Sequence, residues 1–334
     1  MVTFMSRVEP IIYLEVNLRH ETSGRAFLCT LKNSKTKPPS FFAQHVRSLV
    51  ICSDVGTQLV VEILSFCHGI VNFSYWAAPS PPGRKPLNSS FLSILDRGAD
   101  HSGFLNKVAP QRMSVYLHEN HLYPLKPHFN LAFFSSVTHL SILNSWEEWT
   151  MWTHICSDTM PALTHIKFDM NVQRSRPSRP SNVGIQKFQS PELYFTKTLD
   201  NWDEPEILTT SGFLWLDVKL SKVANTLTEV LNTSRSLRVC ILLLRFDADP
   251  TYTARFITRL ASQKFLGDRV PAKTTDVCAA NWFDARLVFA HEREPFRYTH
   301  ASSEHEMKLW KSAETVVDSQ RYVTGNSIFY VYSE

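Results

Sequence analysis

The 334-residue chain has few of the features that mark reaction chemistry. It contains only 10 glycines, and neither of the glycine-rich loops that cradle phosphates, G-x-x-x-x-G-K-[ST] and G-x-G-x-x-G, occurs in it. The G-x-S-x-G turn that exposes a serine nucleophile is also absent from the sequence. These absences exclude the common nucleotide-binding and serine-hydrolase motifs, and we assign no catalytic, cofactor-binding or metal-binding residue.

The cysteines and the apolar runs of the chain indicate neither a redox pair nor a membrane span. The 6 cysteines are scattered, and no two of them form a C-x-x-C pair. No apolar run approaches the length of about 18 residues that a membrane span needs, and no secretory leader is recognisable. We therefore expect reduced cysteines that act as small hydrophobes, no membrane partner, and a location in the cytoplasm or nucleus.

Charge is nearly balanced. The chain has 35 basic and 31 acidic residues, a net charge of +4, which is far below what a nucleic-acid-binding surface requires. Hydrophobic residues make up 43 % of the sequence, enough for a substantial core. We therefore expect a folded protein that binds no nucleic acid.

A short apolar phrase, Φ-x-x-Φ-x-Φ with Φ apolar, recurs along the chain. Two of its adjacent pairs of copies are 24 and 26 residues apart, within the range of about 20–29 residues for a leucine-rich-repeat unit. The phrase also has the alternation of a half-buried strand. Its copies begin at Val46, Ile70, Val137, Leu163 and Leu237, with a weaker copy at Ala285.

Helical periodicity follows several of these strands. A further strand is predicted over Met113–Leu117, although it fits the phrase poorly. The residues from Pro10 to Leu18 read as a helix end that runs into a strand. Helices are predicted over Gln58–Phe66 and Glu304–Tyr322, near Ser89–Leu95, and around Ala26–Leu31, Val223–Leu231 and Tyr252–Leu260.

Alternating strands and helices predict an α/β fold. Each strand–helix unit is too small to bury both its faces, so neighbouring units must stack. We expect a leucine-rich-repeat-like solenoid with a curved parallel sheet and helices on the outer face. Residues 1–37 would form an N-terminal cap, residues 38–295 the repeat array with an irregular insertion near 171–212, and residues 296–334 a C-terminal capping helix and tail. The alternative is a doubly wound α/β sheet.

The chain resembles fungal F-box proteins with degenerate leucine-rich repeats. In those proteins the F-box is followed by a phrase like P-x-L-Y-x-x-V-x-L and then by strands of the types H-V-R-S-L and L-T-H-L. A closing W-x-x-A-E helix is matched by Trp310, Ala313 and Glu314. The other matching residues are Pro10, Tyr13, Val16 and Leu18, then His45–Leu49, Val137–Leu140, Leu163–Ile166 and Ser236–Val239.

This resemblance implies a division of roles. In the family the F-box binds a Skp1-type adaptor of a ubiquitin ligase, and the repeats hold the substrate. The F-box itself, a helical stretch that begins L-P-x-E, is not found here, since only seven residues precede Val8. The resemblance therefore implies a substrate-binding part, and two interpretations of the missing F-box stay open: a truncated gene model, or a member of the family that does not bind the adaptor. We predict a non-enzymatic protein-recognition module, with an enzyme (a hydrolase or transferase) on a doubly wound sheet as the alternative.

Several polar residues are candidate site residues by their type and spacing. His118-Glu119-Asn120-His121 is one residue too short for the zinc motif H-E-x-x-H, so a solvated loop is favoured. His139 and His165 occupy equivalent repeat positions, which favours hydrogen bonds between repeats over metal binding. Asp54 and Asp247 follow strands, where turn-forming aspartates are common and no catalytic partner accompanies them.

Two clusters were weighed as binding surfaces. The arginines at 174, 176 and 179 suit a solvated loop, with an acidic partner as the alternative. Trp146 and Trp149 share a helical face that Trp152 does not, and core packing is favoured over a partner contact. The sequence names a protein partner or substrate only as a class, and the residues that bind it stay unassigned.

Overall fold

The computed structural model describes an α/β fold with parallel strands. The described residues are 11–38, 40–52, 55–76, 107–116, 132–143, 149, 152, 160–171, 210–245, 284–292, 303–320 and 330–332. The chain divides into two compact units. Unit 1 comprises Met1–Asn144 and Thr150–Ile166, and unit 2 comprises Ser145–Trp149 and Lys167–Glu334.

Unit 1 contains consecutive parallel strands in chain order. A sixth strand, which begins at His165, also bonds to the last of these strands. The backbone N–H groups of Thr164 and His165 donate to Thr138 O at 3.0 and 2.9 Å. The five strands are β1 Glu15–Leu18, β2 Ser48–Cys52, β3 Asn72–Trp76, β4 Arg112–Tyr116 and β5 His139–Ile142. The sixth strand is β6 His165–Asn171, whose first two residues belong to unit 1 and whose other residues belong to unit 2.

The register of these strands reproduces the apolar phrase. Leu49, the fourth residue of the first copy, pairs with Phe73, which pairs with Met113, which pairs with Leu140. Alternation then puts the sixth residues of the copies on the same face as the fourth. All of these side chains are buried, and so are Val46, Ile70, Val137 and Leu163 at the first positions. The phrase therefore marks the core face of unit 1.

Two further copies of the phrase exist in unit 1. Val16 pairs with Leu49, so Tyr13-x-x-Val16-x-Leu18 is a copy in the segment expected to be a cap. In β4 the copy starts at the buried Pro110. The strand predicted over Met113–Leu117 is thus confirmed, and it lies between the copies that begin at Ile70 and Val137.

The described helices of unit 1 are α1 Glu21–Asn33, α2 Ser40–His45, α3 Thr57–Phe66 and α4 Ala132–Ser135. At the start of α1, His20 N donates to Ser23 Oγ at 3.2 Å and Ser23 Oγ donates to His20 O at 2.7 Å. The first of these bonds satisfies the N–H of His20 at the helix start, while His20 O also accepts from Gly24 N at 3.1 Å. A Cβ on Gly24 would lie 2.8 Å from Leu59 Cδ2, so the absence of a side chain there allows α1 and α3 to approach closely.

Unit 2 contains the rest of β6 and three strands that pair in parallel, β7 Val239–Arg245, β8 Leu287–Glu292 and β9 Tyr330–Tyr332. Its described helices are α5 Thr210–Thr233 and α6 Ser303–Gln320. Helix α6 packs its apolar stripe on one face of β7 and β8. The residues of this core are Val239, Ile241, Leu243, Val288, Ala290, Leu309, Trp310, Ala313 and Val317.

Two sequence predictions differ from the structure in unit 2. The copies of the phrase at Leu237 and Ala285 are out of step by one residue, because Ile241, not Cys240, pairs with Val288. Both faces of β7 are buried, so its apolar residues carry no alternation that could fix the phase. Within residues 296–334, for which a capping helix and a tail were expected, the tail contains a strand, β9, which pairs with β8.

Some predictions fall outside the described residues. The helices near 89–95 and 252–260 lie there, as does most of the irregular segment 171–212, of which Asn171 ends β6 and residues 210–212 begin α5. The helix predicted over Gln58–Phe66 matches α3, and that over Glu304–Tyr322 matches α6.

Candidate recognition surface

The polar face of unit 1 is the side of its strands opposite the core face. Successive residues of a strand point to opposite faces, so the residues between the apolar positions share this side. Two rows run across the strands at fixed register. The first row is Glu15, Ser48, Asn72, Arg112 and His139, and the second is Asn17, Val50, Ser74, Ser114 and Ser141.

Nine of these ten residues are polar, and most are partly exposed. Asn17, Asn72, Ser74, Arg112, Ser114 and His139 are half-buried, Glu15 is exposed, and Ser48, Val50 and Ser141 are buried. A sheet face that was packed under a layer of helices would be apolar, as the opposite face is. The composition of the polar face thus fits contact with water or with a polar partner.

Neighbouring strands are connected on this face by side-chain contacts. Arg112 Nε donates to Asn72 Oδ1 at 2.5 Å, one rung along the first row. The rings of His139 and His165 stack with centroids 4.1 Å apart and planes 5° from parallel. The predicted repeat-position relationship of the two histidines therefore places them in contact, on adjacent strands.

Each of these histidines is oriented by the threonine before it. Thr138 Oγ1 donates to Gln111 O at 3.0 Å, and Thr164 Oγ1 donates to Thr138 O at 3.2 Å. The same hydroxyl oxygens lie 2.9 Å from His139 Nδ1 and 2.8 Å from His165 Nδ1. Because each hydroxyl has one proton and gives it to a carbonyl, the oxygen accepts from the imidazole. This arrangement suits a proton on Nδ1 of each ring.

This geometry does not favour a metal site at the two histidines. Parallel rings direct their in-plane lone pairs side by side, so the two nitrogens do not converge on one ion. Within the part of the chain that the structure describes, no group of three or more histidine, cysteine, aspartate or glutamate side chains could hold a metal.

Unit 2 contains a buried ionic cluster. Arg245 Nε donates to both oxygens of Asp169 at 2.9 Å, and Arg245 Nη1 also pairs with Glu292 Oε2. His305 Nε2 lies 3.0 Å from Glu292 Oε1. In addition, Lys167 Nζ pairs with Glu306 Oε1 at 2.8 Å. Because His305 and Glu306 belong to α6, the cluster connects the start of that helix to the strands.

Electrostatics in this cluster are dominated by burial. Burial raises the pKa of the Asp169 carboxyl, although the nearby charges of Arg245 and Lys167 oppose the shift. A carboxylate beside an imidazole, as in Glu292 and His305, is also the pairing that orients a general base. Here, however, Glu292 is bound to Arg245 as well, and every carboxylate of the cluster faces a basic group. We interpret the cluster as a structural connection between α6 and the strands.

Most other residues weighed from the sequence lie outside the described part of the chain. They are Asp54, His118, Glu119, Asn120, His121, Trp146, Arg174, Arg176, Arg179 and Asp247. Trp149 is fully buried and its ring centroid lies 4.8 Å from that of Phe168, and Trp152 is also buried. Core packing therefore describes both of these tryptophans.

The cysteines in the described segments are all reduced. Cys67 and Cys240 are buried, Cys52 is half-buried and Cys29 is exposed. Burial raises the pKa of the Cys67 thiol to about 12. The prediction that cysteines act as small buried hydrophobes thus holds for Cys67 and Cys240, whereas Cys29 lies at the surface.

Reasoning from the sequence missed the polar face as a candidate surface. Its signal was present, since polar residues alternate with the apolar positions of each phrase, but the register between strands was needed to align them in rows. Among the helices that the structure describes, none is long and apolar enough to cross a membrane. Comparison of the chain with protein-family models and with curated proteins finds no match.

Proposed function

We propose that this protein is a non-enzymatic recognition module that binds a protein partner through the polar face of unit 1. The observation that carries the proposal is the pair of polar rows at fixed register, which extends from Glu15 on β1 to His139 and Ser141 on β5. Side chains spaced by adjacent strands form a broad surface, which suits a polypeptide better than a small molecule.

The strand order supports a repeat array over a doubly wound sheet. In unit 1 each strand is a parallel neighbour of the next strand in the chain. A doubly wound sheet reverses its strand order at a switch point, where the ligand crevice of such enzymes lies. Because β1–β5 contain no such reversal, a leucine-rich-repeat-like solenoid is the architecture we propose.

The resemblance to F-box proteins with degenerate repeats adds the class of partner. If the array has the role that the repeats have in that family, the bound protein is a substrate for ubiquitin transfer. The polar face, with one guanidinium and two imidazoles among amides and hydroxyls, is suited to hydrogen-bonded recognition.

A comparison of capture experiments tests the proposal. The purified protein, immobilised, is expected to enrich at least one cellular protein. Enrichment should fall about tenfold or more with Ser74→Arg plus Ser114→Arg, which fill the second row with bulk, as loss of a central contact costs about 1.4 kcal/mol or more. Lys311→Glu, on the exposed side of α6, is the matched control and should leave enrichment unchanged. Equal capture by the wild-type chain and the folded double variant would contradict the proposal.

A further inference from the structure

Among the described residues, the outer edge of β1 combines unpaired backbone groups with exposed apolar residues. In the strand order of the described residues β1 is at one end, with β2 on its only paired side. An edge strand with unpaired backbone groups is a template for another chain, and parallel sheets are usually covered. The residues just before it, Ile11, Ile12 and Leu14, are 70 %, 64 % and 50 % exposed.

The backbone direction of β1 determines which residues face that edge. Leu14 O accepts from Ser48 N at 2.9 Å, so the peptide groups of Leu14 and, by alternation, of Val16 and Leu18 point toward β2. The N–H and C=O groups of Glu15 and Asn17, and of Arg19 if the strand extends by one residue, then point outward. These outward groups form a hydrogen-bonding edge with Asn17 at its centre.

The sequence of this edge is complementary to itself when reversed. In an antiparallel pair centred on Asn17, Asn17 faces Asn17 of the second copy, and Glu15 faces Arg19 of that copy. Directly opposite residues lie on the same face of a sheet, so Glu15 and Arg19 would form an ion pair twice across a two-fold axis. The apolar residues Val16 and Leu18 would likewise face each other and extend the core face.

Three polar groups at this edge have unused bonding capacity. Glu15 and Arg19 are exposed, and neither side chain has a hydrogen bond or ion pair within the described part of the chain. Asn17 Oδ1 is buried and lacks a hydrogen-bond partner among the described residues. A buried acceptor without a partner is destabilising, and Nδ2 of a facing asparagine would satisfy it.

We propose that β1 pairs antiparallel with β1 of a second copy of this chain, about a two-fold axis through Asn17. The hydrogen bonds of the paired residues would join the two sheets at their edges, and the exposed apolar residues before β1 would add contact area. The backbone hydrogen bonds of this interface lie at the strand edge, whereas the side chains of Glu15 and Asn17 also belong to the rows of the polar face. Arg19 lies outside those rows, so Arg19→Glu tests the dimer without changing them.

Sedimentation velocity on the full chain over a range of concentrations tests the proposal. Because the interface is small, we expect a weak dimer, half-formed on the order of 10–100 µM. Glu15→Arg places arginine opposite arginine at both symmetric positions, and Arg19→Glu places glutamate opposite glutamate. The dissociation constant of the dimer should rise about tenfold or more in each single variant, since two attractive cross-strand pairs become repulsive.

Complementarity should restore the dimer. An equimolar mixture of the two single variants, and the double variant Glu15→Arg with Arg19→Glu, should both dimerise within about threefold of wild type. Lys311→Glu, an exposed change of the same size on α6, should have no effect. A wild-type chain that stays monomeric at all concentrations, a dimer that neither reversal weakens, or a mixture that fails to restore association would each overturn the proposal.

Discussion

The two units differ in how the strands use their second face. In unit 1, one face of β2–β5 carries the apolar phrase, and the opposite face carries half-buried polar residues on β3 and β4. On the flanking strands the opposite face is more closed, since Ser48, Val50 and Ser141 are buried. In unit 2, β7 is apolar on both faces, and one of these faces is covered by α6. Charged residues do occur on the strands of unit 2, but there Lys167, Asp169, Arg245 and Glu292 are paired and largely buried.

This difference shows how coverage determines the residue pattern. A strand with one solvated face alternates apolar and polar residues, whereas a strand buried on both faces reads as a continuous apolar run. The alternating strands β3 and β4 of unit 1 therefore have one face in the core and one face that is partly open to water. The strands of unit 2 belong to an interior.

The largest expected effect separates the two faces of unit 1. Leu140→Asp would put a carboxylate among buried apolar side chains of the core face, at a cost of several kcal/mol, enough to unfold a domain of ordinary stability. Ser114→Asp, on the polar face of the adjacent strand, should change the free energy of unfolding by less than about 1 kcal/mol. Urea denaturation followed by circular dichroism measures both, and equal losses would remove the distinction between the faces.

In unit 2 the two faces of β7 should respond alike. Ile241→Ser and Leu242→Ser point to opposite sides, and both side chains are fully buried. Each substitution should reduce the free energy of unfolding by about 3 kcal/mol, because it removes buried methyl groups and introduces a hydroxyl. Ser74→Ala on the polar face of unit 1 serves as the mild comparison. If only one of the two β7 variants were destabilised, the strand would be covered on a single side.

The phrase predicted the core face of unit 1 because alternation fixes its phase. Its copies at Val46, Ile70, Val137 and Leu163 are all buried at the expected positions. β4 fitted poorly because its copy begins at Pro110, which is not an aliphatic residue. In β7 the run from Val239 to Leu244 gives no phase, so the prediction was out of step by one residue.

The parts that could not be predicted depend on contacts between distant segments. Glu306 meets Lys167 across 139 residues, and Arg245 meets Asp169 across 76. Local patterns carry no information on such pairs. The rows of the polar face required the register between strands, which single strands do not specify, and β9 is only three residues long.

A smaller effect concerns the buried ion pairs of unit 2. Burial raises the pKa of the Asp169 carboxyl in the folded protein. The stability that its protonated form contributes is therefore present at pH values below the ordinary aspartate pKa of about 3.9, and it is lost as the pH rises through the pKa of the folded state. Asp169→Asn removes this titration. The difference in unfolding free energy between wild type and variant, measured against pH, should therefore move in favour of the variant as pH rises from about 3.9. A difference that moves in favour of wild type would show that Arg245 outweighs burial.

The smallest effect is expected for an exposed ion pair in unit 1. Lys32 Nζ lies 2.6 Å from Glu62 Oε2, and this hydrogen bond lowers the pKa of Glu62. Its contribution should be present above the ordinary carboxyl value of about 4.3 and lost as pH falls. Because both side chains are partly solvated, Glu62→Gln should cost less than about 1 kcal/mol at neutral pH, and salt should reduce the cost further. A larger, salt-independent loss would place this pair with the buried ones.

The central claim is that the polar face of unit 1 is accessible while both faces of β7 are closed, and thiol labelling of the native protein measures this directly. Asn72→Cys and Ser114→Cys should be modified within about tenfold of the rate of the exposed Cys29, the internal reference. Leu242→Cys should stay unmodified until unfolding, as should Cys67, whose pKa of about 12 keeps it protonated. Protection of Ser114→Cys equal to that of Leu242→Cys would contradict the account.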